Sequence, residues 1–238
     1  MGAGRGRTGA AGGGGKGGGG SGGGAPPAFP ATDSSPFHTL ADEDGYEAKQ
    51  NFSAATQTAV QTYLDPNPTR GSLYAPSQQL NHALRQGQPL TASQQQTYNG
   101  LMAGMHNLGE NLSMTRYDRV GFMQTLGINN YDRMKITTLK KRLVGHVYTD
   151  AAFVSVSANN FSKSPTRNPF TDKAIKINIK APASAQGLKP GTGPGGNFGE
   201  FLLAPNQNYR ITDVRWTGKQ GRSGAQYYKQ IELDVEMF

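Results

Sequence analysis

Cysteine is missing from all 238 positions of the sequence. That excludes a disulfide framework, a thiolate metal site and a cysteine nucleophile, so any chemistry must run on other groups. Histidine is scarce: His38, His82, His106 and His146 have no mutual spacing of the kind that clamps a metal. Long apolar runs are lacking as well. No stretch approaches the roughly 18 to 20 apolar residues that cross a bilayer, and the N-terminus has basic residues without the apolar core of a signal peptide. These features point to a soluble protein with no membrane partner, cytoplasmic or delivered as part of a larger protein. Acidic residues are the minority charge, 16 Asp and Glu against 24 Lys and Arg, for a formal net charge of +8. Such a surplus favours polyanions or phosphorylated ligands. Its densest cluster, Lys140-Lys141-Arg142, has no aromatic residues interleaved and reads as a solvated helix face.

What is abundant is glycine, and it is concentrated at the start. Residues 1–24 are almost all Gly with Arg5, Arg7 and Lys16, a composition that buries no core and behaves as a flexible tether. Residues 25–44 turn to Pro, Ser and acidic residues without a sustained period, which is still linker-like. The expectation is a linker over 1–44, tying the fold to another module, and one folded domain over 45–238. Helical spacing covers 46–64, stopped by Pro66 and Pro68, then 76–85 and 91–108. After Gly109 the pattern changes: a strand over 112–117, helical patches over 119–126 and 134–143, then strands over 152–157, 174–179, 199–203, 208–214 and 227–235. Helices first and strands later predict an α+β fold with a mixed, mainly antiparallel sheet arrangement.

One carboxylate asks for an explanation. Glu200 stands where a glycine-rich loop runs into the apolar triplet Phe201-Leu202-Leu203, and a charge at the entrance of a buried strand is costly unless it is hydrogen-bonded. Taken alone, it reads as a strand-end Glu that reaches water. The loop itself, GTGPGG over 191–196, is no phosphate-binding P-loop, because no Lys-Ser or Lys-Thr follows.

Three pieces in order give Glu200 a context: the strand with Arg116, the strand Phe153-Val154-Ser155-Val156-Ser157, and Asn197-Phe198-Gly199-Glu200-Phe201-Leu202-Leu203. Their succession of Arg, Ser-x-Ser and Glu resembles the bacterial ADP-ribosyltransferase exotoxin family, with its Arg strand, its STS strand and its Glu running into a Leu-Leu strand. Residues 175–182 and 204–211 are similar to the family's flanking strands, and Tyr63, Ser72, Asn81 and Leu84 to its helical segment. The resemblance covers 45–238. It implies an ADP-ribosyltransferase-like fold, a helical part on a two-sheet β core, and a mono-ADP-ribosyltransferase that uses NAD as substrate without metal and releases nicotinamide. It implies catalytic roles for Glu200 and Ser155, contacts from Arg116 and Ser157 to NAD, and an aromatic packing on nicotinamide from Phe161 or Phe170. For each of these two aromatics a plain core role remains open, and Arg116 read alone is an exposed strand residue pairing with Asp118. Ser155 and Ser157 read alone are the polar face of an edge strand.

Two positions depart from the pattern. Val156 replaces the family's Thr, keeping a β-branched shape. Phe198 replaces the Glu or Gln that engages the acceptor, so Phe198 either meets an apolar or aromatic acceptor, or packs the loop. The acceptor, protein or nucleic acid, stays open. Two other readings stand beside this one: a degenerate module acting as an NAD glycohydrolase, and a structural or nucleic-acid-binding domain of a phage or mobile-element protein, suggested by the basic charge and the tether.

Overall fold

The computed structural model of the chain describes residues 35–40, 50–68, 71–158, 173–190 and 200–238, and its helices begin where the sequence supplies caps. Helix α1 (Ala54–Leu64) starts after Ser53, whose Oγ accepts a hydrogen bond from Thr56 N at 3.1 Å. The helix expected from residue 46 begins only after this cap, and Gln50, outside it, exchanges two hydrogen bonds with the backbone of Lys189. Helix α2 (Pro76–Arg85) opens with Pro at its first turn, where the missing N–H is no loss. Helix α3 (Ala92–Gly104) opens with a reciprocal capping box between Thr91 and Gln94. It ends at Gly104 rather than near 108, because strand β1 (His106–Asn107) turns away to pair with β6 (Gln186–Leu188).

The remaining elements are strand β2 (Leu112–Asp118), helix α4 (Gly121–Thr125), helix α5 (Ile136–Leu143), and strands β3 (Val147–Asp150), β4 (Val154–Ser157), β5 (Ile175–Ala181), β7 (Glu200–Leu203), β8 (Gln207–Ser223) and β9 (Gln226–Met237). The α+β class and mainly antiparallel pairing are as the sequence predicts; only β5 and β9, among the named strand pairs, run parallel. The expected division into two sheets is not what the hydrogen bonding gives. The described strands form one order, β1-β6-β7-β4-β2-β5-β9-β8-β3. Its narrow point is β4–β2, joined through the pair Thr115 opposite Ser157, so few ladder bonds hold the two parts in one sheet.

The two-residue alternation of β4 and β7 sorts their side chains between two cores. Val154, Val156, Phe201 and Leu203 enter the larger cluster with Met114, Ile177, Ile179, Leu233 and Val235. Phe153 and Leu202 face the other way and pack with Ala59, Val60, Tyr63, Leu80 and Leu101 of the helices. Whatever else β4 and β7 carry on that second face therefore looks toward α1 and α2. Residues 35–40, expected to be linker, lie on the fold: Leu40 is buried, Ser113 N donates to His38 O at 2.7 Å, and Leu40 N donates to Ala158 O at 3.2 Å.

Candidate active site

Pairing register fixes where the polar side chains go. Ser157 lies opposite Glu200 and Ser155 opposite Leu202, so Ser155, Ser157 and Glu200 share the face that looks toward the helices. There the floor of the strands and the walls of α1 and α2 enclose a cleft of ≈ 1580 Å³. Tyr63, Asn81 and Arg85 border it from the helices, and Arg116, Ser155, Ser157 and Glu200 from the strands. The volume exceeds that of an ordinary small-molecule pocket, about 300 to 1,000 Å³, and suits an extended ligand. Among the described lining residues Arg85, Arg116, Arg119 and Lys189 are basic and only Asp65 and Glu200 acidic, so the cleft favours an anion.

Glu200 is half-buried, and burial pushes its carboxyl above the ordinary value; a hydrogen bond from the Ser155 hydroxyl pulls it partly back. The carboxylate at the strand entrance therefore has a hydroxyl for company on the neighbouring strand. Ser157 is buried. Arg116 pairs across to Ile177 of β5 and borders both this cleft and a small cavity shared with Tyr148 and Asp150. It is not the exposed residue that an isolated strand arginine would be: its side chain is 18% accessible, and its Nε and Nη2 both donate to Asp118 Oδ2, at 3.0 and 2.8 Å. Burial works against its charge, but Asp118 and Asp150 outweigh it and hold the guanidinium protonated.

On the helical wall, Asn81 Nδ2 donates to Tyr63 Oη at 2.8 Å and to Phe153 O at 3.3 Å, while burial pushes the Tyr63 hydroxyl up to about 12. Arg85, which sequence reasoning did not single out, reaches across to Asp150 with Nε to Oδ1 and Nη2 to Oδ2, each at 2.9 Å. No spacing could have found that pair, because its members come together only when α2 docks beside β3. Phe161, Phe170 and Phe198 lie outside the described residues. No group of three or more His, Asp or Glu among the described residues could hold a metal ion, and no helix among them is long and apolar enough to cross a membrane.

Several solved proteins have a similar fold. The Clostridium limosum C3 exoenzyme is similar at 18% identity and a TM-score of 0.62, over 86% of this chain and 98% of that one. The C3larvin toxin, an ADP-ribosyltransferase from Paenibacillus larvae, is similar at 15% identity and TM-score 0.56, over 84% of this chain and 96% of that one. A C3 protein from S. aureus, solved with NAD, is similar at 12% identity and TM-score 0.59, over 86% of this chain and 98% of that one. A search of curated proteins finds no match to the chain. The class defined by these likenesses is the ADP-ribosyltransferase fold. The family model described as ADP-ribosyltransferase exoenzyme matches residues 44–236, and the chain belongs to that family. Its reaction is NAD-dependent mono-ADP-ribosyl transfer, with NAD as substrate.

Proposed function

We propose that Glu200, Ser155, Arg116 and Ser157 carry this reaction, and that the acceptor is a macromolecule, protein or nucleic acid, presented at the mouth of the cleft. The observation that supports the reading is the pairing register that sets Ser155, Ser157 and the half-buried Glu200 on one face of the cleft. When the bond between nicotinamide and ribose breaks, nicotinamide leaves with the electron pair and the ribose becomes oxocarbenium-like, as in glycoside cleavage. The Glu200 carboxylate offsets that charge and accepts a hydrogen bond from a ribose hydroxyl, while Ser155 fixes its orientation. A nucleophile on the acceptor then bonds to the ribose carbon and loses its proton. Arg116 binds the pyrophosphate as a charged fork, and Ser157 lies beside it as a further polar contact. Phe161 or Phe170 supplies an aromatic face for nicotinamide, and Phe198 one for the acceptor. The Gly-rich and Pro-rich linker ahead of residue 35 keeps the fold attached to another module.

The test is incubation of the protein with labelled NAD and lysate, in the native form and as Glu200→Gln. The native protein labels a defined acceptor, and the variant loses about a hundredfold or more in NAD turnover, by analogy with removal of one charge-stabilising group. Turnover by Glu200→Gln near the native rate overturns the assignment. A guanidinium acceptor needs a group to take its proton, and Phe198 cannot do that. Agmatine is therefore a poor acceptor, and Phe198→Ala lowers transfer more than NAD hydrolysis; strong labelling of agmatine by the native protein refutes the acceptor argument alone.

A further inference from the structure

We infer that Asp150 is a positioning residue of the cleft, locking the guanidinium group of Arg85 beside that of Arg116 so that together they grip the two phosphates of a pyrophosphate. The inference rests on the reading of the cleft as the NAD site and adds to it a residue that touches no substrate. Asp150 ends β3 just before β4, and its own place is set from two sides: Ala152 N donates to its Oδ1 at 3.0 Å, and Asn206 N to its carbonyl at 2.7 Å. From there its carboxylate takes the bidentate pair with Arg85, in which Asp150 is only 15% accessible and Arg85 38%. Its other neighbour is Arg116. Asp150, Arg116, Tyr148 and Tyr209 line one small cavity of ≈ 10 Å³, in which Tyr209 Oη is buried without a hydrogen-bond partner among the described residues.

The two arginines are held in the same way. Each spends Nε and Nη2 on a carboxylate, Arg85 on Asp150 and Arg116 on Asp118. A guanidinium has five N–H donors, so among the described residues each keeps its Nη1 hydrogens for a ligand while the pairing with the carboxylate restricts the side chain. Two like charges lining one cleft repel, and a carboxylate that pairs with Arg85 and shares a small cavity with Arg116 offsets that repulsion without lining the cleft. A pyrophosphate, with two anionic groups at a fixed spacing, is the matching ligand.

The experiment measures binding of ADP, which carries the pyrophosphate, and of nicotinamide, which does not, to the whole chain and to Asp150→Asn. Asn is isosteric and still accepts from Ala152 N, so the turn is kept while the ionic fork is lost. A positioning role predicts ADP affinity and KM for NAD worse by roughly tenfold to a hundredfold, the scale of a misplaced binding group, with nicotinamide affinity and kcat within about threefold of native. Simple electrostatics predicts the opposite sign, because removing an anion makes the cleft more positive; unchanged or tighter ADP binding overturns the proposal. Loss of ADP and nicotinamide binding alike, with a lowered Tm, also overturns it in favour of a structural role. Asp150→Glu gives a second reading: it restores the charge but displaces it by one methylene, so it too must weaken ADP, and native-like ADP affinity counts against positioning. If the native chain binds neither NAD nor ADP, the reading of the cleft itself fails.

Discussion

Glu200 is kept where folding alone would not put a charge. Burial raises its carboxyl above the ordinary 4.5, with the Ser155 hydrogen bond offsetting only part of the shift. Folding then binds a proton more tightly than the unfolded chain does, so the stability linked to this group is present below about pH 4.5 and is lost as pH rises through the raised value. Glu200→Gln is therefore expected to melt no lower than the native protein at neutral pH, and the difference should shrink below that window. Thermal unfolding across pH measures it; a clear destabilisation by Gln at neutral pH would contradict the cost assigned to the charge. Ser155→Ala removes the interaction that lowers the Glu200 carboxyl, so its acidic limb of NAD turnover should move to higher pH, and a limb left in place would falsify the orienting role. Of the cleft, Glu200, Ser155 and Ser157 could be named from the sequence through the resemblance of their motifs to a family, since each motif is local in the chain. Arg85 and Asp150 could not, since they are 65 positions apart and meet only across α2 and β3.

At the scale of elements, the helical wall depends on how closely α1 and α3 approach. A Cβ placed on Gly100 would lie 2.5 Å from Ala59 Cβ and 3.0 Å from Ala55 O, and one on Gly104 would strike Thr56 Cγ2. Gly100→Ala gains about 1 kcal/mol of helix propensity but meets a backbone oxygen that cannot move alone, at an overpacking cost of about 1–3 kcal/mol. The net expectation is a loss of about 0–2 kcal/mol and a Tm lower by up to about 8 °C, checked by calorimetry; a rise in Tm would show that α1 yields easily. Since α1 carries Tyr63, NAD affinity should fall along with it. Sequence reasoning found α2 at its observed limits, because Pro76 and the apolar spacing mark it, and found β2, β5, β8 and β9 to within a few residues, except that β8 runs on to Ser223. It missed β1, β3 and β6, which have two to four residues. Segments that short hold no period, and they become strands because β6, β7 and β8 are there to receive their hydrogen bonds.

For the whole molecule, the question is where the fold begins. Composition alone puts the start near residue 45, yet Leu40 is only 9% exposed, and Asn111 Nδ2 donates to Ser35 O at 2.8 Å. His38 also bridges to Leu112 and pairs with Glu110 at 2.8 Å. We propose the working boundary at residue 35. Deleting residues 1–34, which are Gly-rich and then Pro-rich, should leave Tm and NAD affinity nearly unchanged. Deleting 1–40 also exposes the site of Leu40, worth about 1.5–3 kcal/mol for a buried leucine, and should lower Tm by roughly 4 to 10 °C. Equal melting of the two truncated chains would place the boundary back near 45.

The sequence by itself determined what is local. Caps, prolines and apolar spacing set the helices; alternation set which residues of β4 and β7 are buried and which are polar; and the order Arg116, Ser155, Glu200 marked the family. Tertiary structure decided everything that depends on distant segments meeting. It joined the strands through Thr115 and Ser157 into one continuous sheet, laid residues 35–40 across it, and brought Arg85 of α2 to Asp150 of β3. The physical reason is that hydrogen bonds along a helix, and the pleat of a strand, act between neighbours in the chain, whereas register, ion pairs and cavities act between surfaces whose partners are chosen only when the chain packs.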